Sequence, residues 1–229
     1  MDERFSRSAR VIGEDGLQKL NNCSVIVFGL GGVGGAAAES LVRAGIGTIG
    51  IVDKDVVDIT NLNRQLMATD SSVGLPKTQA TEDRLLDINP NVKIDRYDLF
   101  YLPETADEID LSQYDFIVDC IDNVTAKLEL ISRASEQNIP IISSMGTGNK
   151  FRPDLLEIAD IKKTSVCPLA RVMRRELRNR GINKLTVVYS KEEPVKTHMS
   201  EPGSMSFVPP VAGYLMTSYV VRTILDSEV

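Results

Sequence analysis

Short apolar runs alternate with segments of helical spacing along the first two thirds of the chain. Residues 24–28, 48–52, 93–97, 116–119 and 140–144 have the length and composition of strands. Residues 33–44, 77–88 and 123–138 repeat apolar positions at three- and four-residue steps, which predicts helices between those strands. The helix over 77–88 stops before Asn89-Pro90, because proline disfavours helical geometry in the residue ahead of it. Strands separated by helices predict an α/β fold, Rossmann-like and doubly wound, with a mainly parallel sheet.

After Gly146-Thr147-Gly148 the pattern changes. Residues 155–161 and 184–189 are predicted strands on either side of a helix over 169–179, an antiparallel extension of the sheet. Residues 190–206 are polar, contain Pro194, Pro202 and Gly203, and predict a long mobile loop. The apolar stretch 208–225 is interrupted by Pro209, Pro210 and Gly213 and carries Arg222, so it predicts a buried helix rather than a membrane span. No linker-like composition divides the chain. Residues 1–148 are read as the nucleotide-binding part and 149–229 as the substrate-binding extension of one domain.

Composition narrows the class only slightly. With 229 residues, 42% hydrophobic and 25% charged, the chain resembles an ordinary soluble globular protein with one sizeable core. No export signal is visible at the N-terminus, so a cytoplasmic protein without a membrane partner is expected. Cys23, Cys120 and Cys167 stand far apart and form no Cys-x-x-Cys pair, which argues against disulfides and against a thiolate zinc site. Cys23 and Cys120 flank strand-like runs and read as small buried residues; Cys167 stands at the start of the helix over 169–179. Charge is more informative than its total of −6: residues 161–191 hold nine Lys or Arg against Glu176 alone, +8, leaving −14 on the remainder. Such separation marks a candidate electrostatic footprint. His198, the single histidine, lies in the polar loop and reads as solvated.

The chemistry begins at Phe28-Gly29-Leu30-Gly31-Gly32-Val33-Gly34. Gly29, Gly31 and Gly34 have the G-x-G-x-x-G spacing between a strand and a helix, with Gly32 between them. Free N–H groups and the helix dipole favour phosphate there. Asp53 follows Gly34 by 19 positions at the end of the next strand, where a carboxylate can take ribose hydroxyls. Asn61, Asn63, Arg64 and Gln65 come next, then Gly74-Leu75-Pro76-Lys77, then Asp119-Cys120-Ile121-Asp122-Asn123. Hydride transfer needs no such polar set. Adenylate formation does, since a carboxylate attacking the α-phosphate of ATP builds negative charge that Arg and Lys stabilise, and a carboxylate can hold the metal bridging the phosphates.

These motifs, in this order, resemble the activating-enzyme superfamily related to ubiquitin E1, whose bacterial members activate thiamine and molybdopterin sulfur carriers. Arg4-Phe5-Ser6-Arg7 also resembles that family's opening motif. The resemblance implies that Asp53 binds ribose, that Asn61, Arg64 and Lys77 hold phosphates, and that Asp122 binds Mg²⁺. It further implies a homodimer in which Arg7 reaches into the partner's ATP site.

The C-terminal third separates branches of the family. Carrier activators typically hold zinc on two Cys-x-x-Cys pairs, which this sequence lacks. Asp160-Ile161-x-Lys163-Thr164, Pro168-Leu169-Ala170-Arg171, Pro202-Gly203-Ser204 and Phe207-Val208-Pro209-Pro210 instead resemble the tRNA threonylcarbamoyladenosine dehydratase branch. That resemblance implies ATP-dependent adenylation of the threonylcarbamoyl carboxylate on adenosine 37, then cyclisation with loss of AMP. It also implies, for some members, a monovalent cation near the nucleotide. Arg171, Arg174, Arg175 and Arg178 recur at i, i+3, i+4 and i+7, one helix face suited either to a tRNA backbone or to solvent. Two other readings stay open: an adenylyltransferase for a ubiquitin-like carrier, with a sulfur-transfer or carrier protein as partner, and a non-catalytic nucleotide sensor. DNA is not an expected partner of the leading reading.

Overall fold

The computed structural model describes residues 2–198 and 201–226. Strands β1 (Ser24–Phe28), β2 (Thr48–Val52), β3 (Lys93–Tyr97), β4 (Phe116–Asp119), β5 (Ile141–Ser144), β6 (Leu156–Asp160) and β7 (Thr186–Ser190) form one sheet in the order β3-β2-β1-β4-β5-β7-β6. Every pairing is parallel except β6 against β7. The sheet crosses Gly148 without a break, because β5 pairs with β7. The chain winds outward in both directions from β1, which pairs with β2 and with β4. Phe28 is level with Val52 on one side and with Asp119 on the other, so the segments after β1, β2 and β4 emerge together. This is the crevice where doubly wound sheets bind ligands.

The helices are α1 (Ser6–Asn21), α2 (Gly34–Ala44), α3 (Lys77–Ile88), α4 (Val124–Glu136), α5 (Pro168–Asn179) and α6 (Val208–Ile224). Val25, Val27, Ile49 and Ile51 bury one face of the sheet beneath α2 and α6, while Ile26, Phe28 and Ile117 bury the other. The alanines of α2 allow close helix packing: a Cβ on Gly213 of α6 would lie 2.4 Å from the Val33 carbonyl oxygen. The interrupted apolar segment is therefore a core helix. No helix among the described residues is long and apolar enough to cross a membrane.

Departures from the sequence reading have local causes. Helix α1 is an addition to the predicted elements; Gly13 breaks it at φ 75° and ψ 168°, so its buried stripe of Gly16, Leu17 and Leu20 covers only the second half. Asn123 lies outside α4 as its N-cap, accepting the Ala126 N–H at 3.0 Å. Helix α2 begins one residue later than expected and α5 one residue earlier. Strand β7 is displaced by two residues at its start. Ser190, assigned to the polar loop, is its buried last residue. The loop after it is tied down where it is described. Asn149, at φ 56°, accepts the Val195 N–H on its backbone carbonyl at 2.7 Å and the Gly203 N–H on Oδ1 at 2.6 Å. Residues 199 and 200 of the expected loop lie outside the described residues.

Candidate active site

The cleft is built first by backbone. Gly29 has φ +83°, and a Cβ there would lie 2.8 Å from the Cys120 carbonyl oxygen, so the turn after β1 requires glycine twice over. A Cβ on Gly34 would lie 1.7 Å from the Gly29 oxygen, so the third glycine of the motif serves helix–strand packing. A Cβ on Gly31 would meet nothing within 4 Å, so this glycine faces open space. No side chain caps the N-terminus of α2; the Gly35 N–H is taken by the Gly31 carbonyl at 2.9 Å, and the helix dipole favours an anion at this end.

Asp53 closes this loop. Its Oδ2 accepts the Leu30 N–H at 2.6 Å and its Oδ1 the Asp55 N–H at 2.8 Å. The next wall comes from a small antiparallel bridge between Val56 and Pro76. There the Lys77 N–H donates to the Asp55 carbonyl at 2.9 Å, which sets Lys77 at the start of α3 with its stem buried and its Nζ 3.2 Å from Asp55 Oδ2. Burial of Asp55 opposes its ionisation, but the Lys77 and Lys54 ammonium groups outweigh burial and hold its carboxyl below the usual range.

Asn61 is buried in a capping box with Asp58. Arg64 donates through one Nη to the Thr60 carbonyl at 2.7 Å and to Asn63 Oδ1 at 2.9 Å, contacts that hold its guanidinium at the cleft wall. Gln65 is buried and its Oε1 has no hydrogen-bond partner, although it lines the cleft. Asp122, on the turn after β4, also lines the cleft and is exposed. The resulting cleft is about 450 Å³, a size suited to a small ligand.

Of the expected nucleotide residues, Gly29, Gly31, Gly32, Asp53, Asn61, Arg64, Gln65, Lys77 and Asp122 all line this one cleft. Gly34, Asn63 and Asn123 do not. Asn63 instead holds the arm that carries Ser204, its Nδ2 donating to the Ser204 carbonyl at 2.9 Å. Arg7 is exposed on α1, outside the cleft lining.

The four-arginine face of α5 also divides. Arg171, Arg175 and Arg178 are exposed, while Arg174 turns inward and donates to the Thr164 carbonyl at 2.8 Å. Arg175 further pairs with Glu176 at 2.9 Å. Arg174 is thus an anchor for the segment before α5 rather than part of a free basic face. His198 is exposed, as expected.

Several participants carry no strong signal in the sequence. Tyr101 lines the cleft with an unpartnered hydroxyl that burial pushes up to about 12. Lys54 stands 4.5 Å above the Phe100 ring, and both border the cleft. Thr147, Gly148, Pro202, Gly203 and Ser204 form a wall that only chain reversal brings together. The one local signal is that of Asp55, from its position beside Asp53 and Lys54.

Burial, reinforced by the Asp119 charge, pushes the Cys120 thiol well up, and burial also raises Cys23. Cys167 is buried at the N-cap of α5, and all three thiols are free. Among the described residues, no group of three or more His, Cys, Asp or Glu side chains could hold a metal alone. Asp122 fits the alternative, a hard cation held by one carboxylate and by a nucleotide's phosphates.

Known proteins resemble this chain, two of them over nearly their whole lengths. A tRNA threonylcarbamoyladenosine dehydratase of Bacillus subtilis (strain 168) is 41% identical over 248 aligned positions, which cover 100% of this chain and 98% of the relative. The crystal structure of E. coli tRNA N6-threonylcarbamoyladenosine dehydratase in complex with ATP superposes with a TM-score of 0.92 at 32% identity, covering 98% of this chain and 94% of that one. An adenylyltransferase and sulfurtransferase of Candida glabrata is 34% identical but covers 69% of this chain and 37% of its own length. The model of the ThiF family matches residues 5–228, and with the cleft built as above the chain belongs to that family.

Proposed function

We propose that this protein uses ATP to activate the carboxylate of threonylcarbamoyladenosine 37 in tRNA and then closes it into a cyclic, dehydrated product. The observation that carries this reading is the full-length similarity to the B. subtilis dehydratase, which includes the C-terminal third that distinguishes branches of the family. The carrier-activating relatives support a second reading, adenylation of a ubiquitin-like protein's C-terminus, over a smaller part of the chain.

The cleft residues divide the work. The α2 N-terminus receives phosphate and Asp53 faces the ribose. Arg64 and Lys77 neutralise charge that develops on the α-phosphate as the substrate carboxylate attacks it and pyrophosphate leaves. The acyl–phosphate bond then breaks as a group within the modification attacks the activated carbon, AMP leaves, and the net loss is one water. An intramolecular attack has high effective molarity, so no cysteine thioester is required. Asp122 would hold Mg²⁺, which when bound screens the phosphate charge. Arg171, Arg175 and Arg178 face the tRNA backbone; Arg7 serves the partner's cleft in a cytoplasmic homodimer.

Pyrophosphate release tests the reading. Threonylcarbamoyl-modified tRNA stimulates it and a Gly-Gly-ending carrier does not; the reverse pattern assigns the protein to the carrier activators.

A further inference from the structure

Strand β4 ends on Asp119, and the turn that follows carries Asp122 into the cleft. Behind that turn Asp119, Lys127 and Ser143 are all fully buried. Lys127 Nζ donates to Asp119 Oδ2 at 2.8 Å and to Ser143 Oγ at 3.0 Å, and Ser143 Oγ donates to the same Oδ2 at 2.6 Å. The other oxygen, Asp119 Oδ1, accepts the Ile121 N–H at 3.1 Å. On its far side the turn is pinned to β1, where the Cys120 N–H donates to the Phe28 carbonyl at 2.8 Å. The Asp119 carboxylate thus joins a buried cation to the backbone that presents Asp122.

Stability alone does not account for this triad. Burying an ion pair costs several kcal/mol per ion, and well-packed apolar residues of similar volume often serve a core as well or better. The placement is also specified locally. Asn123 caps α4, and the Lys127 N–H donates to the Asn123 carbonyl at 3.0 Å in the first turn, which directs the lysine beneath the turn it supports. Lys127 offsets the charge of Asp119, so Asp122 is the carboxylate that the turn presents to a polyphosphate.

We propose that Lys127 and Ser143 are positioning residues, acting through Asp119 on the 120–122 turn to set the Asp122 carboxylate for a divalent cation on bound nucleotide. This rests on the assignment of Asp122 as the metal ligand. Partners bonded directly to a metal ligand alter metal affinity by about 10- to 100-fold when removed; Lys127 and Ser143 act further out, through Asp119 and the turn backbone, so the lower end of that range is expected.

The test is Mn²⁺ binding to the full-length protein, followed by electron paramagnetic resonance in the presence of a non-hydrolysable ATP analogue. Ser143→Ala removes one hydroxyl and is expected to weaken Mn²⁺ by about tenfold, while metal-free AMP affinity stays within about twofold. Lys127→Met is expected to weaken Mn²⁺ at least as much. It also leaves Asp119 as an uncompensated buried charge, so Ser143→Ala is the deciding variant. A lowered melting temperature with unchanged Mn²⁺ affinity in Ser143→Ala overturns the proposal and makes the triad structural only. Failure of the wild-type protein to bind Mn²⁺ with nucleotide refutes the Asp122 assignment itself, and the proposal with it.

Discussion

Replacing Lys77 by Met separates a role in chemistry from a role in folding. The Lys77 side chain is 9% exposed, so methionine preserves most of its buried stem while removing the charge. Its partner Asp55 is 50% exposed and keeps its hydration, so losing the 3.2 Å ion pair costs about 1 kcal/mol or less of stability. That corresponds to a melting shift of about 2–4 °C for a chain of this size. The Asp55 carboxyl, held down against its burial by Lys77 and Lys54, returns toward its usual value of 3.8. At the phosphates the loss is larger. Removing a preorganised group from a site of developing charge costs about 2.7–4 kcal/mol, or roughly 10²- to 10³-fold in rate. Single-turnover pyrophosphate release at saturating ATP and modified tRNA, beside a thermal melt, measures both. A rate within about threefold of wild type, or a loss explained by the unfolded fraction, refutes the placement of Lys77 on the phosphates.

Other perturbations probe separate parts of the molecule. Gly34→Ala forces a methyl against the Gly29 carbonyl, at a Cβ–oxygen distance of 1.7 Å, and is expected to cost about 3 kcal/mol or more; near-normal chemical denaturation would show that the loop yields. Changing Arg171, Arg175 and Arg178 to Ser should flatten the dependence of log Kd for tRNA on log salt by about 0.9 per lost phosphate contact. Arg174→Ser, which removes the bond to Thr164, should lower stability instead; an unchanged salt slope in the triple variant assigns that face to solvent. Glu39 links α2 to α3, its carboxylate accepting from Arg43 at 2.8 Å and Arg84 at 2.5 Å. Burial opposes its ionisation, yet the two guanidinium groups hold its folded pKa below the ordinary 4.5. Its contribution is therefore present above pH 4.5 and lost as pH falls through the lower folded value. Discounted for the exposure of both arginines, Glu39→Gln should cost about 1–2 kcal/mol at pH 7, with the difference from wild type vanishing in acid. A pH-independent difference in urea midpoints would show that the Glu39 charge contributes no stability.

Much of the cleft is readable from residue order because its signals are local. Gly29, Asp53, Lys77 and Asp122 each stand at the carboxyl end of a strand or the start of a helix, and a parallel sheet brings such positions together. The bounds of β1, β2, β4 and α3 are legible for the same reason, each being an apolar or periodic run closed by a turn; those of β3 match as well, although that strand is mostly polar and only partly buried. Long-range geometry is not legible. Helical spacing groups Arg174 with its three neighbours, but the carbonyl that captures it belongs to Thr164, ahead of the helix. Asn63 and Asn123 have residue types suited to a nucleotide, yet each is engaged by backbone, at Ser204 and at Ala126. Lys127 gives no sign in the sequence, since a lysine in a helix usually faces water.

The carboxylate activated in this cleft is proposed to belong to a modified tRNA. Mass spectrometry of nucleosides from threonylcarbamoyl-modified tRNA, after incubation with the protein and ATP, distinguishes this substrate from a carrier protein. Loss of one water from the modified adenosine is expected, dependent on ATP and slowed about 10²- to 10³-fold in Lys77→Met. An unchanged nucleoside, with ATP turnover stimulated only by a Gly-Gly-ending carrier, contradicts it.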